Sequence, residues 1–166
     1  MLQVAKDHSA RDWAMILVGY LHGLRVSEIT ALTDKDVQDG YIKVNRLKGS
    51  LSTTQKLVQS EDPLFNEYQM FTNLVHVQKM NGRLFPITRQ RFWKIIKMHG
   101  KKAGLPEHLV HPHILKHSVA HNALDSGMPI NELQQYLGHK SLNSTAAYLR
   151  SSDQSACNAF AKAMGA

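Results

Sequence analysis

Histidine stands out among the side chains of this sequence that could do chemistry. Five of the ten histidines lie between His108 and His121. Within that stretch, His113, His117 and His121 recur every four residues, a spacing that would place them in one stripe along a helix. Metal binding is one chemistry for such a stripe, and ordinary core or surface histidines are the alternative. The segment lacks both the glutamate of a His-Glu-x-x-His zinc site and a nearby cysteine, which favours histidines without a metal.

Four short motifs follow one another along the chain. They are Gly23-Leu24-Arg25-Val26-Ser27-Glu28, His113-Ile114-Leu115-Lys116-His117-Ser118, Leu137-Gly138-His139 and Tyr148. Each motif is weak evidence alone, but their order and the nine-residue step from His139 to Tyr148 make the set specific. With these motifs, the chain from about Asp12 to Arg150 resembles the catalytic domain of the tyrosine recombinases, the phage integrase family.

The resemblance implies DNA strand transfer without a metal or nucleotide cofactor. Tyr148 matches the family's nucleophile, whose phenolic oxygen would attack a DNA phosphate, form a 3′-phosphotyrosyl bond and release a 5′-hydroxyl. Such an intermediate conserves the phosphodiester energy, so strands can be rejoined without ATP. Taken alone, Tyr148 would be read as a helix tyrosine with a half-buried ring. The motif set as a whole gives it the nucleophile's role.

The same resemblance assigns the groups around the phosphate. Arg25 matches the first arginine of the family, and its planar guanidinium suits bidentate contact with phosphate oxygens. Glu28 matches a supporting acidic position. His113 and Lys116 match a His-x-x-Arg motif, in which the histidine could accept a proton or donate a hydrogen bond. His139 matches a second histidine that donates a hydrogen bond to the phosphate.

A general acid is also implied by the resemblance. Lys48, just before the Gly49-Ser50 turn, matches the lysine on the family's β-hairpin that protonates the leaving 5′-oxygen. A solvated hairpin lysine is the alternative. Three other basic residues nearby compete for the same assignment, namely Lys43, Arg46 and Lys56.

The sequence departs from the family's pattern at two positions. Lys116 stands where the family usually has a second arginine, and lysine keeps the charge but loses the planar, two-pronged geometry. Arg150 stands where many relatives carry histidine. The departure at Lys116 keeps open a DNA-binding relative with weakened or lost catalysis, and a histidine-metal hydrolase is a further alternative.

Hydrophobic spacing and turn residues predict the elements that carry these motifs, a mainly α-helical domain with a small antiparallel sheet (α+β). The predicted helices are one that runs from about residue 11 and stops near Gly23, a short one capped by Ser27, and others over Pro63 to Lys79, Thr88 to Ala103, Pro112 to Leu124 and Ile130–Leu137, with another holding Ala146 to Tyr148. The predicted strands lie over Tyr41–Asn45 and Thr53–Val58. A last helix is predicted in the tail from Ser155 to Met164, which would dock on a neighbouring subunit or pack on its own domain.

The positive charge is concentrated in one part of the sequence. The 20 Lys and Arg residues exceed the 13 Asp and Glu residues, for a net charge of +7. From Tyr68 to Pro106 there is no acidic residue, and this segment alone carries +8. A solvated helix face is one explanation, and contact with a phosphate backbone is the other. The predicted DNA contacts are Arg89, Arg91, Lys94 and Lys97.

Length and composition set the expected organisation. The chain has 166 residues, which predicts one domain, residues 1–166, without the N-terminal DNA-clamping domain that the family usually carries. The single cysteine, Cys157, excludes an internal disulfide framework and fits a reducing compartment. No signal peptide or membrane span is evident, so we expect a cytoplasmic, DNA-associated protein. Its expected partners are double-stranded DNA and, on DNA, three further copies of the chain; in isolation a monomer is possible.

Overall fold

The computed structural model describes residues 1–46, 50–77 and 82–148, with Cys157, Phe160, Ala161 and residues 163–165 further on; for residues 74–77 it describes the backbone alone. This part of the chain forms α-helices and one three-stranded sheet, which confirms the predicted mainly helical α+β class. The helices are α1 (Leu2–His8), α2 (Ala10–Leu21), α3 (Val26–Ile29), α4 (Glu67–Val77), α5 (Arg89–Lys102), α6 (His113–Asp125), α7 (Ile130–Tyr136) and α8 (Asn143–Ala146). The strands are β1 (Val37–Gln38), β2 (Tyr41–Val44) and β3 (Thr53–Lys56).

Helix α2 forms the centre of the core. Its residues from Asp12 to Gly19 are all buried, so the helix is covered on every side rather than amphipathic. It packs against α1, α3, α4 and α6. The predicted stop near Gly23 is confirmed, because α2 ends at Leu21 and Gly23 has φ +58°, a conformation that glycine adopts without strain.

The short helix α3 begins earlier than predicted. Arg25, not Ser27, is its N-cap residue. The carboxylate of Glu28 accepts the main-chain N–H of Arg25 at 2.8 Å, and this contact starts the helix two residues sooner than a serine cap would. The prediction of Ser27 as the cap was therefore wrong.

The sheet is antiparallel in the order β1-β2-β3. Strand β2 pairs with β3 so that Ile42 lies opposite Gln55 and Val44 opposite Thr53. Ile42 and Val44 are buried, whereas the alternate residues Tyr41 and Lys43 are exposed. The two predicted strands are confirmed within a residue or two, and the two-residue strand β1 is an addition.

Side-chain caps set the start of helices α4 and α5. The Thr88 hydroxyl accepts the N–H of Arg91 at 3.1 Å, as predicted for the start of α5. Helix α4 begins at Glu67 rather than Pro63, because Asn66 Oδ1 accepts the N–H of Gln69 at 3.0 Å and takes the cap position. Helix α8 ends at Ala146, so Tyr148 lies in the turn beyond it. Most of the predicted tail helix lies outside the described residues.

A small second core joins the C-terminal helices. Ala120 on α6 packs with Leu133 and Leu137 from α7 and the residue after it, and Tyr148 is partly buried against this cluster. In the described ranges, no helix is long and apolar enough to cross a bilayer.

Gly100 of α5 packs closely on Val110, so the effect of Gly100→Ala on stability should depend on the residue at position 110. A Cβ at Gly100 would overlap Cγ1 of Val110 and lie 2.9 Å from Cγ2. We expect Gly100→Ala to lower the free energy of unfolding by about 1–3 kcal/mol through overpacking. In a Val110→Ala background both Cγ atoms are gone and the nearest atom is Cβ of residue 110, at 3.2 Å. The loss caused by Gly100→Ala should therefore shrink there, offset by about 1 kcal/mol of helix propensity. Urea unfolding of the four proteins measures both effects; an equal loss in both backgrounds would contradict the packing argument.

Candidate active site

Arg25 is held by the carboxylate of Glu28 three residues later. Its N–H donates to Oε2 of Glu28 at 2.8 Å and its Nη1 donates to Oε1 at 3.0 Å. The Glu28 side chain is 1% exposed and that of Arg25 is 27% exposed. Because one carboxylate fixes both the main chain and the side chain, the guanidinium is oriented while part of it remains at the surface.

Arg46 follows β2 and is buried on the other side of the same carboxylate. Its Nη1 lies 3.4 Å from Oε2 of Glu28, and its side chain is 0% exposed. A side chain enclosed in this way does not reach the surface, so Arg46 is excluded as an alternative to Lys48. The other two competitors, Lys43 and Lys56, are exposed on the outer face of the sheet. Lys48 itself lies outside the described residues.

Helix α6 carries both members of the His-x-x-Lys motif, and they differ in exposure. His113 is exposed at the first residue of the helix, with its ring centroid 6.4 Å from that of His111. Lys116 is 7% exposed, and its Nζ has no hydrogen-bond partner among the described residues. Burial, and then the positive charges of Arg25 and Arg46, lower the pKa of Lys116 to about 8, against an opposing effect of Glu28. Lys116 is therefore a buried cation that faces other cations.

His139 comes from the turn after α7. Gly138 before it has φ +66°, and the imidazole of His139 is 8% exposed, with Nδ1 2.9 Å from Oγ1 of Thr145. Burial, with the charges of Lys116, Arg25 and Arg46, lowers the pKa of His139 to about 4. The ring is therefore neutral at neutral pH. When Nδ1 accepts from the Thr145 hydroxyl, Nε2 carries the ring's hydrogen and can donate it to an anion.

Tyr148 rests on two histidines of α6. Its ring contacts His117 and His121 edge to face, with centroid separations of 5.4 and 5.5 Å. Burial raises the pKa of Tyr148, and the charge of Arg25 partly offsets that rise. Burial, followed by the charges of its histidine neighbours, lowers the pKa of His117. The stripe predicted from the four-residue spacing thus supports the Tyr148 ring, and no group of three metal-ligating side chains suited to an ion occurs in the described part of the chain.

Four residues from distant motifs meet in one place. The charge of Arg25 acts on the pKa values of Lys116, His139 and Tyr148, so each of these three side chains lies within electrostatic reach of Arg25. They come from the start of α3, from α6, from the turn after α7 and from the turn after α8. Three positively charged or hydrogen-bonding groups beside a phenol could bind a phosphate oxyanion and hold it next to a nucleophile.

The basic residues of α5 form a separate surface. Arg89, Arg91 and Lys94 are exposed, while α5 packs through its other face on α1 and α3. Lys97 is half-buried, with Nζ 3.6 Å from Oε1 of Glu107 and 5.2 Å from the ring centroid of Trp93.

Sequence reasoning missed a buried polar network behind the site. His22 is fully buried, with Nε2 2.7 Å from Oε1 of Glu67 and Nδ1 within hydrogen-bond distance of Gln55. Gln55 Nε2 donates to the carbonyl oxygen of Tyr136 at 2.6 Å, and Arg46 Nη2 donates to the same oxygen at 3.1 Å. These residues are far apart in sequence and follow no motif, so the sequence carried no signal for the network.

The chain is similar to known proteins in sequence and in fold. The model of the phage integrase family matches residues 1–155. Type 1 fimbriae regulatory protein FimB of Escherichia coli K12 is 34% identical over 151 residues, which are 87% of this chain and 75% of FimB. The crystal structure of XerA recombinase has a TM-score of 0.76 and 25% identity, covering 97% of this chain and 58% of that one.

A second solved structure shares the fold. XerH site-specific recombinase, bound to palindromic difH substrate in a post-cleavage complex, has a TM-score of 0.75 and 20% identity, covering 96% of this chain and 49% of that one. The chain thus spans between about half and three quarters of the length of these relatives.

The unpartnered cation at Lys116 predicts a pH-dependent stability difference. Lys116→Met removes the charge and keeps an unbranched stem, so at pH 7 we expect the variant to be more stable than the parent by about 1–3 kcal/mol. Between the folded pKa of about 8 and the ordinary value of 10.5, the unfolded chain binds a proton that the folded chain does not. The parent therefore gains stability with rising pH in that window, and the difference disappears above it.

Urea unfolding of both proteins at several pH values measures this difference. Lys140→Met, at an exposed position, is the matched control and should show no such trend. A loss of stability in Lys116→Met at pH 7 would show that the folded protein already gives the ammonium a favourable partner.

Proposed function

The chain belongs to the phage integrase family of tyrosine recombinases, and we propose that it cuts and rejoins DNA at specific sites through a bond between Tyr148 and a 3′ phosphate. The observation that carries this proposal is the convergence of Arg25, Lys116 and His139 near Tyr148. Gly23, two residues before Arg25, lies against Leu137 and the stem of Lys116, and Tyr148 rests on the histidines of α6 that follow Lys116. The charge of Arg25 accordingly acts on the pKa of each of the other three. These are four of the six positions that match the family's catalytic residues. No metal or nucleotide is needed, because the phosphotyrosyl bond keeps the energy for rejoining.

The proposed reaction is an in-line displacement at phosphorus. The Tyr148 oxygen forms a bond to phosphorus as the bond to the 5′-oxygen breaks, and Lys48 gives a proton to that leaving oxygen. Burial keeps the Tyr148 phenol protonated at neutral pH, so it loses its proton as it attacks. We assign His113 the role of accepting that proton or of donating a hydrogen bond to the phosphate.

The phosphate's developing negative charge would be stabilised by three groups. Arg25, already oriented by Glu28, brings a guanidinium that is partly exposed at the surface and suited to phosphate oxygens. His139 offers Nε2, and Lys116 offers a single ammonium whose burial beside two arginines becomes favourable when an anion arrives. Because an ammonium is a point charge, Lys116 binds one phosphate oxygen where an arginine would hold two.

Duplex DNA is the proposed substrate. XerH, which shares the fold, is solved on its difH substrate, and the exposed cations of α5 offer this chain a surface for phosphates. Arg89, Arg91, Lys94 and Lys97 remain the predicted DNA contacts. Assembly as a homotetramer on DNA, docking of the Ser155–Met164 tail and dependence on an N-terminal DNA-clamping domain also remain predictions.

A covalent adduct tests the proposed chemistry. Nicked suicide duplexes of randomised sequence are incubated with the protein, and DNA that stays attached on a denaturing gel is sequenced. We expect an adduct that survives a chelator and is abolished in Tyr148→Phe, because that variant loses only the hydroxyl and keeps the ring on His117 and His121. Tyr20→Phe is the matched control and should form the adduct normally.

Other outcomes would each favour a different reading. Loss of cleavage with a chelator favours a histidine-metal hydrolase. An adduct in Tyr148→Phe assigns the nucleophile elsewhere. Specific DNA binding without any adduct favours a DNA-binding relative that has lost catalysis through Lys116.

Salt dependence tests the α5 surface. A phosphate contact releases counterions, so replacing Arg89, Arg91 or Lys94 with alanine should reduce the slope of log Kd against log salt by about 1 each. The effect of Lys97→Ala should be smaller, because Lys97 also contacts Glu107 and Trp93. Lys35→Ala is the control on an exposed turn away from α5, and fluorescence anisotropy with labelled duplex supplies Kd. If the slope is unchanged in all α5 variants, these residues do not contact DNA phosphates.

A further inference from the structure

One buried guanidinium contacts both segments that present the phosphate-binding groups. Arg46 Nη1 donates to the carbonyl oxygen of Gly23 at 2.9 Å, and Nη2 donates to that of His22 at 2.9 Å and that of Tyr136 at 3.1 Å. His22 and Gly23 lie two to three residues before Arg25, and Tyr136 lies three residues before His139. The two segments are more than a hundred residues apart in sequence, and Arg46 joins them.

The aliphatic stem of Arg46 also packs on the turn before His139. A Cβ at Gly138 would lie 3.2 Å from Cγ of Arg46 and would overlap the carbonyl oxygen of Leu51, so the turn lies directly on these two residues. The N–H of Leu51 donates to the carbonyl oxygen of Gly138 at 2.8 Å. Gly138 thus has both the backbone conformation and the space that only glycine allows.

Gln55 on β3 strengthens the same joint, by which we mean the connection between the His22–Gly23 segment and the Tyr136 segment. Its Nε2 shares the Tyr136 carbonyl oxygen with Arg46, and its side-chain oxygen contacts His22. His22 is in turn paired with Glu67 on α4, whose second oxygen accepts the N–H of Val58 at 3.1 Å. Two of the three residues whose carbonyls Arg46 binds, His22 and Tyr136, are therefore also held by β3 or α4.

We infer that Arg46 is a positioning residue that fixes Arg25 and His139 relative to each other, and that it acts on DNA cleavage and not on DNA binding. The inference rests on the proposed function for its effect on cleavage. Arg46 touches no substrate, because its side chain is 0% exposed. Its four acceptors are two carbonyls before Arg25, one before His139 and the carboxylate that orients Arg25. Arginine suits this role because its planar fork reaches acceptors on two sides at once.

The charge of Arg46 adds to this geometry. A guanidinium stays protonated even when buried, and the charge of Arg46 acts on both Lys116 and His139. Arg46 therefore also favours the negative charge that develops on the phosphate during cleavage, without contacting it. Arg46→Lys keeps the charge and loses the fork, which separates the two contributions.

Hydrogen exchange tests the joint without any need for activity. In Arg46→Lys we expect faster amide exchange in peptides covering residues 22–28 and 134–141, with other segments unchanged. Gln55→Met is a milder variant that removes one donor to Tyr136, and it should loosen residues 134–141 while Arg46 remains. Arg11→Lys is the matched control, because Arg11 is half-exposed and its guanidinium pairs with the carboxylate of the neighbouring Asp12. Exchange that rises in neither or in only one segment in Arg46→Lys overturns the inference. If Arg46→Lys fails to fold, Gln55→Met decides.

Single-turnover cleavage and DNA affinity test the consequence. With a duplex that the parent protein cleaves, we expect Arg46→Lys to slow adduct formation by about 10- to 100-fold while Kd changes by less than about threefold. Equal losses in rate and affinity, or a normal rate, overturn the positioning role. If the parent forms no adduct on any duplex, the proposed function fails, and the exchange experiment still judges whether Arg46 joins the two segments.

Discussion

The carboxylate of Glu28 is buried between two arginines, and the site is built outward from it. A buried carboxylate without partners would cost several kcal/mol, so its burial requires cations with good geometry. Arg25 supplies a main-chain N–H and Nη1, and Arg46 supplies a second guanidinium from the opposite side. This arrangement leaves one arginine turned partly to the surface and the other fully enclosed. Arg25 can therefore contact a ligand at the surface, whereas the enclosed Arg46 can only stabilise the protein around it.

Positive charge within the site exceeds what Glu28 neutralises. Lys116 is buried beside Arg25 and Arg46, and its ammonium has no hydrogen-bond partner among the described residues. The fold carries this repulsion at a cost in stability, as functional sites often do. An arriving phosphate would relieve it, so part of the energy of ligand binding is stored in the folded protein as unfavourable charge.

Local sequence patterns predicted the helices and strands. Contacts between residues far apart in sequence determined the features that the sequence did not predict. The stop at Gly23 and the Thr88 cap depend on neighbouring residues only, so the sequence predicted them. The prediction of Ser27 as the N-cap was wrong, because the carboxylate of Glu28, one residue later, accepts the N–H of Arg25 and makes Arg25 the N-cap. The motif order predicted the members of the cluster, but the role of Arg46 depends on three carbonyl groups that no side-chain pattern reveals.

The site divides into two units that meet at a glycine. Arg46 joins Arg25 to the turn of His139, while α6 carries Lys116 together with His117 and His121, on which Tyr148 rests. The units touch at Gly23, where a Cβ would lie 2.6 Å from Cδ2 of Leu137 and 3.8 Å from Cγ of Lys116. A larger residue there would overlap Leu137, in the segment just before His139, and would strain the φ of +58°, whereas its contact with Lys116 would stay at an ordinary van der Waals distance. Gly23 is therefore needed chiefly for the close approach of the two segments that Arg46 joins.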